Sequence, residues 1–112
     1  MTAPDVDPLL LDPTRLSIVS LLSATRWAEF GFVRDSVGMS DSALSKQITT
    51  LGKQDYLEVR KGYVGKRPRT WLNLSTTGRV ALERHIEALQ RIAARSREAG
   101  DAHRTESDTG VG

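Results

Sequence analysis

The stretch that decides the fold is residues 63–79, which read YVGKRPRTWLNLSTTGR. Its first half is basic and contains glycine and proline. Thr70–Leu74 then alternates between polar and apolar side chains, as Tyr56–Arg60 does before it, and this alternation is typical of half-buried strands. The pattern predicts two antiparallel strands joined by a long basic hairpin loop over residues 61–69, after which Ser75 caps a final helix.

Two helices are predicted near the start of the chain. The first begins at Asp12–Pro13, which supplies a capping oxygen and a preorganised first residue, and apolar residues at helical spacing continue it to about Ala24. Residues 27–29 interrupt that spacing and predict a brief strand. Residues 30–37 then predict a second, shorter helix, which Gly38 ends.

The third predicted helix follows Ser40, its N-cap, and buries a stripe of apolar side chains. The stripe consists of Leu44, Ile48 and Leu51. The opposite face has hydroxyl and lysine side chains and no acid: Ser42, Ser45, Lys46, Thr49 and Lys53. A solvated helix face more often mixes Glu with Lys for pairing four residues apart. This face therefore favours a polyanionic partner, and an ordinary polar surface is the alternative.

The composition excludes several classes of protein. The chain has 112 residues and no cysteine, which leaves room for one domain and excludes disulfides, thiolate zinc sites and cysteine nucleophiles. Apolar runs are short, for example Leu9–Leu11, whereas a membrane span needs roughly 20 residues. The first residues lack a signal-peptide pattern. We therefore expect a cytoplasmic protein with no membrane partner.

Charge is distributed unevenly along the chain. Residues 42–71 contain seven basic and two acidic side chains, a net charge of +5, so the remainder of the chain has −3. A locally basic stretch in a nearly neutral chain is typical of contact with nucleic acid. A solvated charged surface is the alternative interpretation.

Three segments together resemble compact winged helix-turn-helix transcriptional regulators of the MarR-like group, which is common in bacteria. The segments are Asp12–Val19, Met39–Lys46, and Tyr63–Trp71 followed by Leu74–Arg79. The similarity spans roughly residues 9–93, and its first-helix motif is shared with ArsR-type regulators. The resemblance implies an α+β, mainly α fold with a two- to three-stranded antiparallel wing and a C-terminal dimerisation helix.

The same resemblance divides the chain into four parts. Residues 1–12 are an N-terminal lead-in that packs at a dimer interface, and residues 13–75 are the winged helix-turn-helix domain. Residues 76–97 are the dimerisation helix. Residues 98–112, which have too little apolar surface to order themselves, are expected to be a disordered tail.

The chain departs from the family pattern at two places. The family usually closes the third helix with glycine, whereas this chain has Asp55 there and Gly52 three residues earlier. Asp tolerates the left-handed backbone conformation better than most residues, so we expect the turn to survive. Relatives often have a histidine where this chain has Gln47. This difference is expected to alter which DNA sequence the protein prefers.

The resemblance implies that the third helix enters the major groove of a palindromic operator while the hairpin contacts the minor groove or phosphates. Hydroxyls are small donor-acceptors, Lys46 can reach a guanine edge or a phosphate, and Gln47 on the flank can pair with adenine. Tyr63 and Val64 are expected to brace the hairpin, and Trp71 to pack. The residues expected to contact DNA are Ser42, Ser45, Lys46, Gln47, Thr49, Lys61, Lys66, Arg67 and Arg69.

A homodimer is expected because the last helix repeats apolar residues at the spacing of a coiled-coil seam. The predicted interface consists of Leu9, Leu10, Leu11, Leu82, Ile86, Leu89 and Ala93. The alternative is that the same stripe covers the chain's own first helix. Larger MarR relatives hold small, often aromatic anions, so the resemblance also implies a small-molecule effector where the first and last helices meet.

No catalytic, cofactor or metal site is predicted. The chain has no nucleophile-elbow serine and no phosphate-binding glycine loop with a lysine, so we expect a protein that is not an enzyme. His85 has no clustered ligands nearby in sequence and is interpreted as structural. The alternative function is a winged-helix adaptor for protein–protein contacts, which would favour an acidic or apolar third-helix face.

Overall fold

The computed structural model describes residues 5–110, with the side chains of residues 5–105. In chain order its elements are a 3-10 helix (Pro8–Leu11), α1 (Pro13–Ser23), β1 (Ala28–Glu29), α2 (Phe30–Val37), α3 (Asp41–Gly52), β2 (Leu57–Val64), β3 (Arg67–Leu74) and α4 (Thr76–Gly110). This order confirms the predicted winged helix-turn-helix fold, mainly helical, with a three-stranded sheet. Residues 1–4, part of the predicted lead-in, lie outside the described residues.

Three helix ends lie at the residues that were predicted to cap them: the starts of α1 and α3, and the end of α2. The Asp12 carboxylate accepts a hydrogen bond from the backbone N–H of Arg15 at 2.9 Å, and the Ser40 hydroxyl accepts one from Ala43 at 3.2 Å. Each such cap contributes about 1 kcal/mol, because it satisfies an N–H group that the helix itself leaves unpaired. Gly38 ends α2 at a φ of 70°, where glycine pays no steric cost.

The core joins α1, α3 and the inner face of the sheet. Its completely or almost completely buried side chains come from one face of α1, the inner stripe of α3 and alternate residues of β3: Ile18, Val19, Leu22, Leu44, Leu51, Leu72 and Leu74. Ile48, predicted in the same stripe, packs against this core while partly buried. Truncating a side chain of this kind costs about 2–5 kcal/mol, so the core fixes α3 firmly in the domain.

The sheet has the strand order β1-β3-β2 and is antiparallel throughout. β2 and β3 pair along their whole length, so that only Gly65 and Lys66 form the turn between them. Gly65 has a φ of 63°, and glycine at the first position of a two-residue turn is typical of a tight hairpin. The prediction of a long loop over residues 61–69 is therefore wrong.

Gly62 and Pro68 are strand residues here, although such residues usually indicate a loop. A Cβ on Gly62 would lie 3.2 Å from Cζ3 of Trp71, so this glycine leaves room for the indole ring. Pro68 lies in β3 beyond Trp71 and Leu72, the two residues that pair with β1. Its missing N–H therefore costs no ladder hydrogen bond on that side of the strand.

Asp55 makes the left-handed turn that leads out of α3, as predicted, with a φ of 60°. The backbone N–H of Tyr56 donates back to the carbonyl of Leu51 at 3.2 Å and closes the helix end. Gly52 is the last residue of α3. Aspartate thus makes the left-handed turn at the position where the family pattern has glycine.

α4 is longer than predicted. It extends to Gly110, so the prediction that it ends near Arg97 is wrong. The expected disorder of residues 98–112 is also wrong as far as Gly110. Residues 111–112 lie outside the described residues. The composition of residues 98–112 indicates that they have little apolar surface to bury. It says less about extending an existing helix, where each added residue gains a hydrogen bond. Arg104 and Asp101 add an ion pair at 3.9 Å.

The described part of the lead-in, residues 5–12, packs against its own chain, and we call it the N-terminal strap. The backbone N–H of Asp7 donates to Nδ1 of His85 in α4 at 3.0 Å, and the Tyr56 hydroxyl donates to the Asp7 carboxylate. Burial first, and then its contact with Asp7, raise the pKa of Tyr56 to about 12. The strap therefore connects the exit of α3 to α4.

Two residues predicted at a dimer interface lie in the core of the single chain. Leu10 has no exposed surface and Leu82 is 6% exposed, so their assignment to an interface is wrong. A side chain enclosed by its own subunit has no surface left for a partner. Leu9 is half-buried and Leu11 is exposed. Over residues 5–110, every helix is too short or too polar to cross a bilayer.

Candidate nucleic-acid interface

The outward side of α3 is an exposed polar surface. We call Ser42, Ser45, Lys46 and Thr49 the α3 face, and the structure brings all four together on the solvent side of the helix. Leu44 on the opposite side is completely buried, so α3 is held by its inner stripe. A helix held in this way can lie in the major groove of B-DNA.

Thr49 and Lys46 present different groups to a partner on the α3 face. The Thr49 hydroxyl donates to the carbonyl of Ser45 at 3.1 Å, one turn earlier. Thr49 therefore presents lone pairs and a methyl group outward, which suit a cytosine amino group or a thymine methyl. Lys46 has the long, flexible donor of this face and can reach a guanine edge or a phosphate.

Gln47 lies on the inner flank of α3, away from the α3 face. It is half-buried, and Nη1 of Arg15 in α1 donates to its side-chain oxygen at 3.2 Å. Arg15 in turn donates from Nε to the carbonyl of Leu9 at 2.7 Å. Gln47 therefore joins α3 to α1 and the N-terminal strap, and its pairing with adenine stays a prediction.

An acid does stand at the start of α3, beside the α3 face, where it would repel DNA phosphates. Asp41 is neutralised by Arg34 of α2, whose Nη1 lies 2.8 Å from the carboxylate. The same guanidinium donates to Asp35 at 2.9 Å, and this hydrogen bond lowers the pKa of Asp35. The contacts with both carboxylates raise the pKa of Arg34. Sequence reasoning missed this pairing because Arg34 and Asp41 meet across the α2–α3 turn.

The tip of the wing is basic and exposed. Lys66 lies in the turn and Arg67 opens β3, and both side chains are exposed, as is Lys61 in β2. Tyr63 is 74% exposed and Val64 is 58% exposed, so the prediction that they brace the hairpin is wrong. They are instead additional surface residues of the wing. Alternation along β2 could have indicated this, had the strand been predicted beyond Arg60.

Arg69 differs from the other cations of the wing. Its Nε lies 2.9 Å from a carboxylate oxygen of Glu29 in β1, and its side chain is only about one-third exposed. The structure uses this residue to tie the wing to β1, and its contact with DNA stays a prediction. Glu29 follows the short predicted strand directly, but nothing in the sequence indicated its partner.

Two tryptophans brace the outer face of the wing base. The guanidinium carbon of Arg60 lies 4.0 Å from the centre of the Trp27 ring, a cation–π contact. Trp71 lies opposite Arg60 across the strand pair and packs over Gly62, which confirms its predicted packing role. The base of the wing is therefore fixed, whereas its tip projects into solvent.

Two other predictions concern ligands. His85 is completely buried and accepts a hydrogen bond from the Asp7 backbone, in agreement with a structural role. The described residues contain no group of three metal-binding side chains. Where the end of α1 meets the start of α4, a polar cleft of about 440 Å³ is lined by Arg26, Arg79 and Glu58, among others.

Comparison with known proteins relates this geometry to a family. A family model described as "Winged helix DNA-binding domain" matches residues 14–93. A transcriptional regulator homologue from Pyrococcus horikoshii is similar in structure, with a TM-score of 0.71 and 23% identity over 77% of this chain and 85% of that chain. The S. aureus MepR–DNA complex has a TM-score of 0.63 and 11% identity over 93% and 81%.

A zinc-responsive MarR family member from Lactococcus lactis, ZitR, has a TM-score of 0.55 and 18% identity over 80% of this chain and 60% of that chain. The fold is thus shared with MarR-type regulators, as the sequence resemblance predicted. The family is one of DNA-binding domains, which agrees with the expectation that the chain is not an enzyme. This chain belongs to the winged helix DNA-binding domain family.

Proposed function

We propose that this chain is a sequence-specific transcriptional regulator that binds a palindromic operator as a homodimer and represses transcription by occupying a promoter. In this proposal the α3 face reads base edges in the major groove, and the wing contacts the minor groove or phosphates. The observation that supports it best is the α3 face itself. It is exposed and polar, and the acid beside it, Asp41, is ion-paired to Arg34.

The charge of the wing supports the same assignment. Lys66 and Arg67 extend from a hairpin whose base is fixed, so both cations can approach a negatively charged surface without a change in the core. Cations that neutralise phosphates release condensed counterions, which makes affinity strongly dependent on salt. Phosphate contacts position the protein, and base contacts in the major groove specify the sequence.

The homodimer is proposed from the surface of α4. Ile86, Leu89 and Ile92 are each about two-fifths exposed, and Ala93 is exposed beside them. Beyond Ala88, no described side chain of α4 is buried in its own subunit. Because a row of apolar side chains left in water costs free energy, a second copy is the expected cover. Two modules also double the readout, since one buries only about 600–1,000 Å² on DNA.

A small-molecule effector remains part of the proposal. The cleft between the end of α1 and the start of α4 has the location that the family resemblance implies for it. Arg79 crosses the cleft and donates to the carbonyl of Ser23 at 3.2 Å. Because two arginines line the cleft, we expect the effector to be an anion. An anion that weakens DNA binding by the wild type, but not by the Arg26→Ala variant, would support this site.

The proposed function is tested by titrating labelled promoter fragments from the source genome with the protein. Fluorescence anisotropy measures the affinity at several salt concentrations. With about 6–10 phosphates neutralised per dimer, affinity should fall about 10³–10⁵-fold between 50 and 200 mM salt. An adaptor for protein–protein contacts would show no retention on heparin or nonspecific DNA at low salt. That result would replace the proposed function with the adaptor.

A further inference from the structure

We infer that the tip of the wing is an apolar wedge that enters the minor groove and unstacks one base step, with Tyr63 as its leading side chain. The inference rests on the proposed DNA binding and specifies how the wing engages the groove. It comes from three exposed side chains at the last two cross-strand pairs of the hairpin: Tyr63, Val64 and Pro68. We call these three residues the apolar tip.

One face of the apolar tip continues the inner face of the sheet past the core. Tyr63 lies opposite Pro68, and alternation along the strands places both on the same face as Leu72 and Leu74. The two leucines are buried in the core, whereas Tyr63 is 74% exposed. Side chains directly opposite each other lie within contact range. Tyr63 and Pro68 therefore form one apolar block that projects beyond the domain.

The other face of the tip combines an apolar side chain with cations. Val64 is 58% exposed and lies opposite Arg67, and this pair closes the turn of Gly65 and Lys66. Lys66 and Arg67 are both exposed. The apolar tip therefore has positive charge beside it, and a partner that fits it has negative charge around an apolar surface.

The minor groove of B-DNA has this combination. Phosphates line both of its edges, and the carbon atoms of the sugars form its walls. The groove is about 6 Å wide, whereas two paired strands are already about 4.8 Å apart before their side chains are counted. The hairpin therefore cannot enter as a whole, and only side chains at its tip can reach the floor of the groove.

Tyr63 is suited to lead the wedge. Its ring is a broad, flat apolar body, and its hydroxyl can keep a hydrogen bond at the far end. Apolar side chains that enter the minor groove partly unstack a base step and bend the duplex toward the major groove. This distortion costs least at pyrimidine–purine steps. We therefore expect a preference for such a flexible step under each wing, separate from the base contacts of the α3 face.

An affinity measurement separates the apolar tip from the cations beside it. Tyr63→Thr combined with Val64→Thr keeps β-branched residues in the strand and removes the apolar surface. Affinity for a promoter fragment should fall about tenfold or more, because apolar burial is lost. The slope of log affinity against log salt should stay unchanged, because Lys66 and Arg67 remain. Val59→Thr changes a side chain that is 48% exposed at the base of the wing, and it should alter neither quantity.

Permanganate footprinting of the same complexes tests the unstacking. Permanganate oxidises the C5–C6 double bond of thymines that are not stacked on their neighbours. The wild type should make a thymine under each wing reactive, and the double threonine variant should not. Tyr63→Phe retains the ring and should preserve the reactivity.

Thymines that stay unreactive in the wild-type complex would overturn the inference, whatever the affinity of the variants. Salt-dependent binding that the double threonine variant leaves unchanged would also overturn it, and would leave the apolar tip to a protein partner. Both results keep the proposed function intact. A wild-type chain that binds no DNA at low salt would overturn the inference and the proposed function together.

Discussion

The α3 face and the wing are both exposed and polar, but they are held in different ways. α3 is anchored by Leu44 and Leu51, which are completely buried, and by the Ser40 cap at its first turn. The wing has its fixed contacts only at the base, where Arg69 pairs with Glu29. Toward its tip the side chains are exposed on both faces of the hairpin.

This difference indicates a division of roles. Reading base edges requires donors and acceptors that are preset to within a fraction of an ångström, which a helix on a packed core provides. Contacts with phosphates tolerate movement, because Coulomb attraction falls slowly with distance. We therefore expect specificity to depend on α3, and affinity and its salt dependence to depend on the tip of the wing.

The largest effect is expected from Leu44→Ala. Truncating this completely buried side chain should lower the free energy of unfolding by about 2–5 kcal/mol, and α3 would lose its anchor. Urea denaturation measures the change. Leu11→Ala is the control, because Leu11 is 57% exposed and its truncation should change stability by less than about 0.5 kcal/mol. Equal losses in both variants would contradict the account of how α3 is held.

The next effect is expected from Lys66→Ala combined with Arg67→Ala. Log affinity falls with log salt concentration at a slope of roughly 0.9 per phosphate contact. Removing two such contacts per subunit should make this slope shallower by about 3–4 per dimer, while the free energy of unfolding stays unchanged. Anisotropy titrations over a salt series measure the slope. Arg104→Ala removes an exposed cation far along α4 and should leave the slope as it is. An unchanged slope in the wing variant would show that the tip does not contact phosphates.

Ser40→Ala should have a smaller effect. It removes the oxygen that accepts the Ala43 N–H at 3.2 Å, so the free energy of unfolding should fall by about 1 kcal/mol. Thermal unfolding measures the change, and Ser40→Asp should retain most of the stability, because aspartate also caps helices. A neutral Ser40→Ala variant would mean that the cap contributes nothing to the position of α3.

Arg69→Ala should change stability by at most about 1 kcal/mol, because its ion pair with Glu29 is partly exposed. DNA affinity should fall less than in the Lys66/Arg67 double variant, since Glu29 already pairs with the Arg69 guanidinium. Glu29→Gln is the matched control and should weaken binding to a similar degree. A larger loss of affinity and of salt dependence for Arg69→Ala would assign Arg69 a direct contact with DNA.

The last effect is confined to alkaline solution, where the folded state loses stability. The pKa of Tyr56 is raised from 10.0 to about 12, so the folded state favours the protonated phenol that donates to Asp7. This contribution is complete below pH 10 and is lost as the pH rises through 12. Tyr56→Phe should flatten the stability curve in that range. Tyr63→Phe, at an exposed tyrosine, should leave the curve unchanged.

The local features of this molecule could be predicted well from the sequence, because helix caps and amphipathic stripes depend on residues a few positions apart in the chain. Asp12, Ser40, Gly38 and Asp55 all act where they were expected. The α3 face was also predictable, since helical spacing alone separates it from the buried stripe.

The errors concern partners distant in sequence and the continuation of regular structure. Nothing local indicated that Glu29 would bind Arg69, that Arg15 would bind Gln47, or that Asp7 would contact His85. The hairpin was misread because Gly62 makes room for an indole ring 9 residues later, which only the strand pairing reveals. Residues 98–110 show that a polar composition does not prevent an established helix from continuing.

The most direct test of the account is methylation protection by dimethyl sulfate on a promoter fragment that the protein binds. This reagent modifies guanine N7 in the major groove and adenine N3 in the minor groove, so it reports the two contacts separately. We expect Lys46→Ala to lose guanine protection, and the Lys66→Ala, Arg67→Ala variant to lose adenine protection beside it. Loss of the same protections in both variants, or protection that neither variant changes, would contradict it.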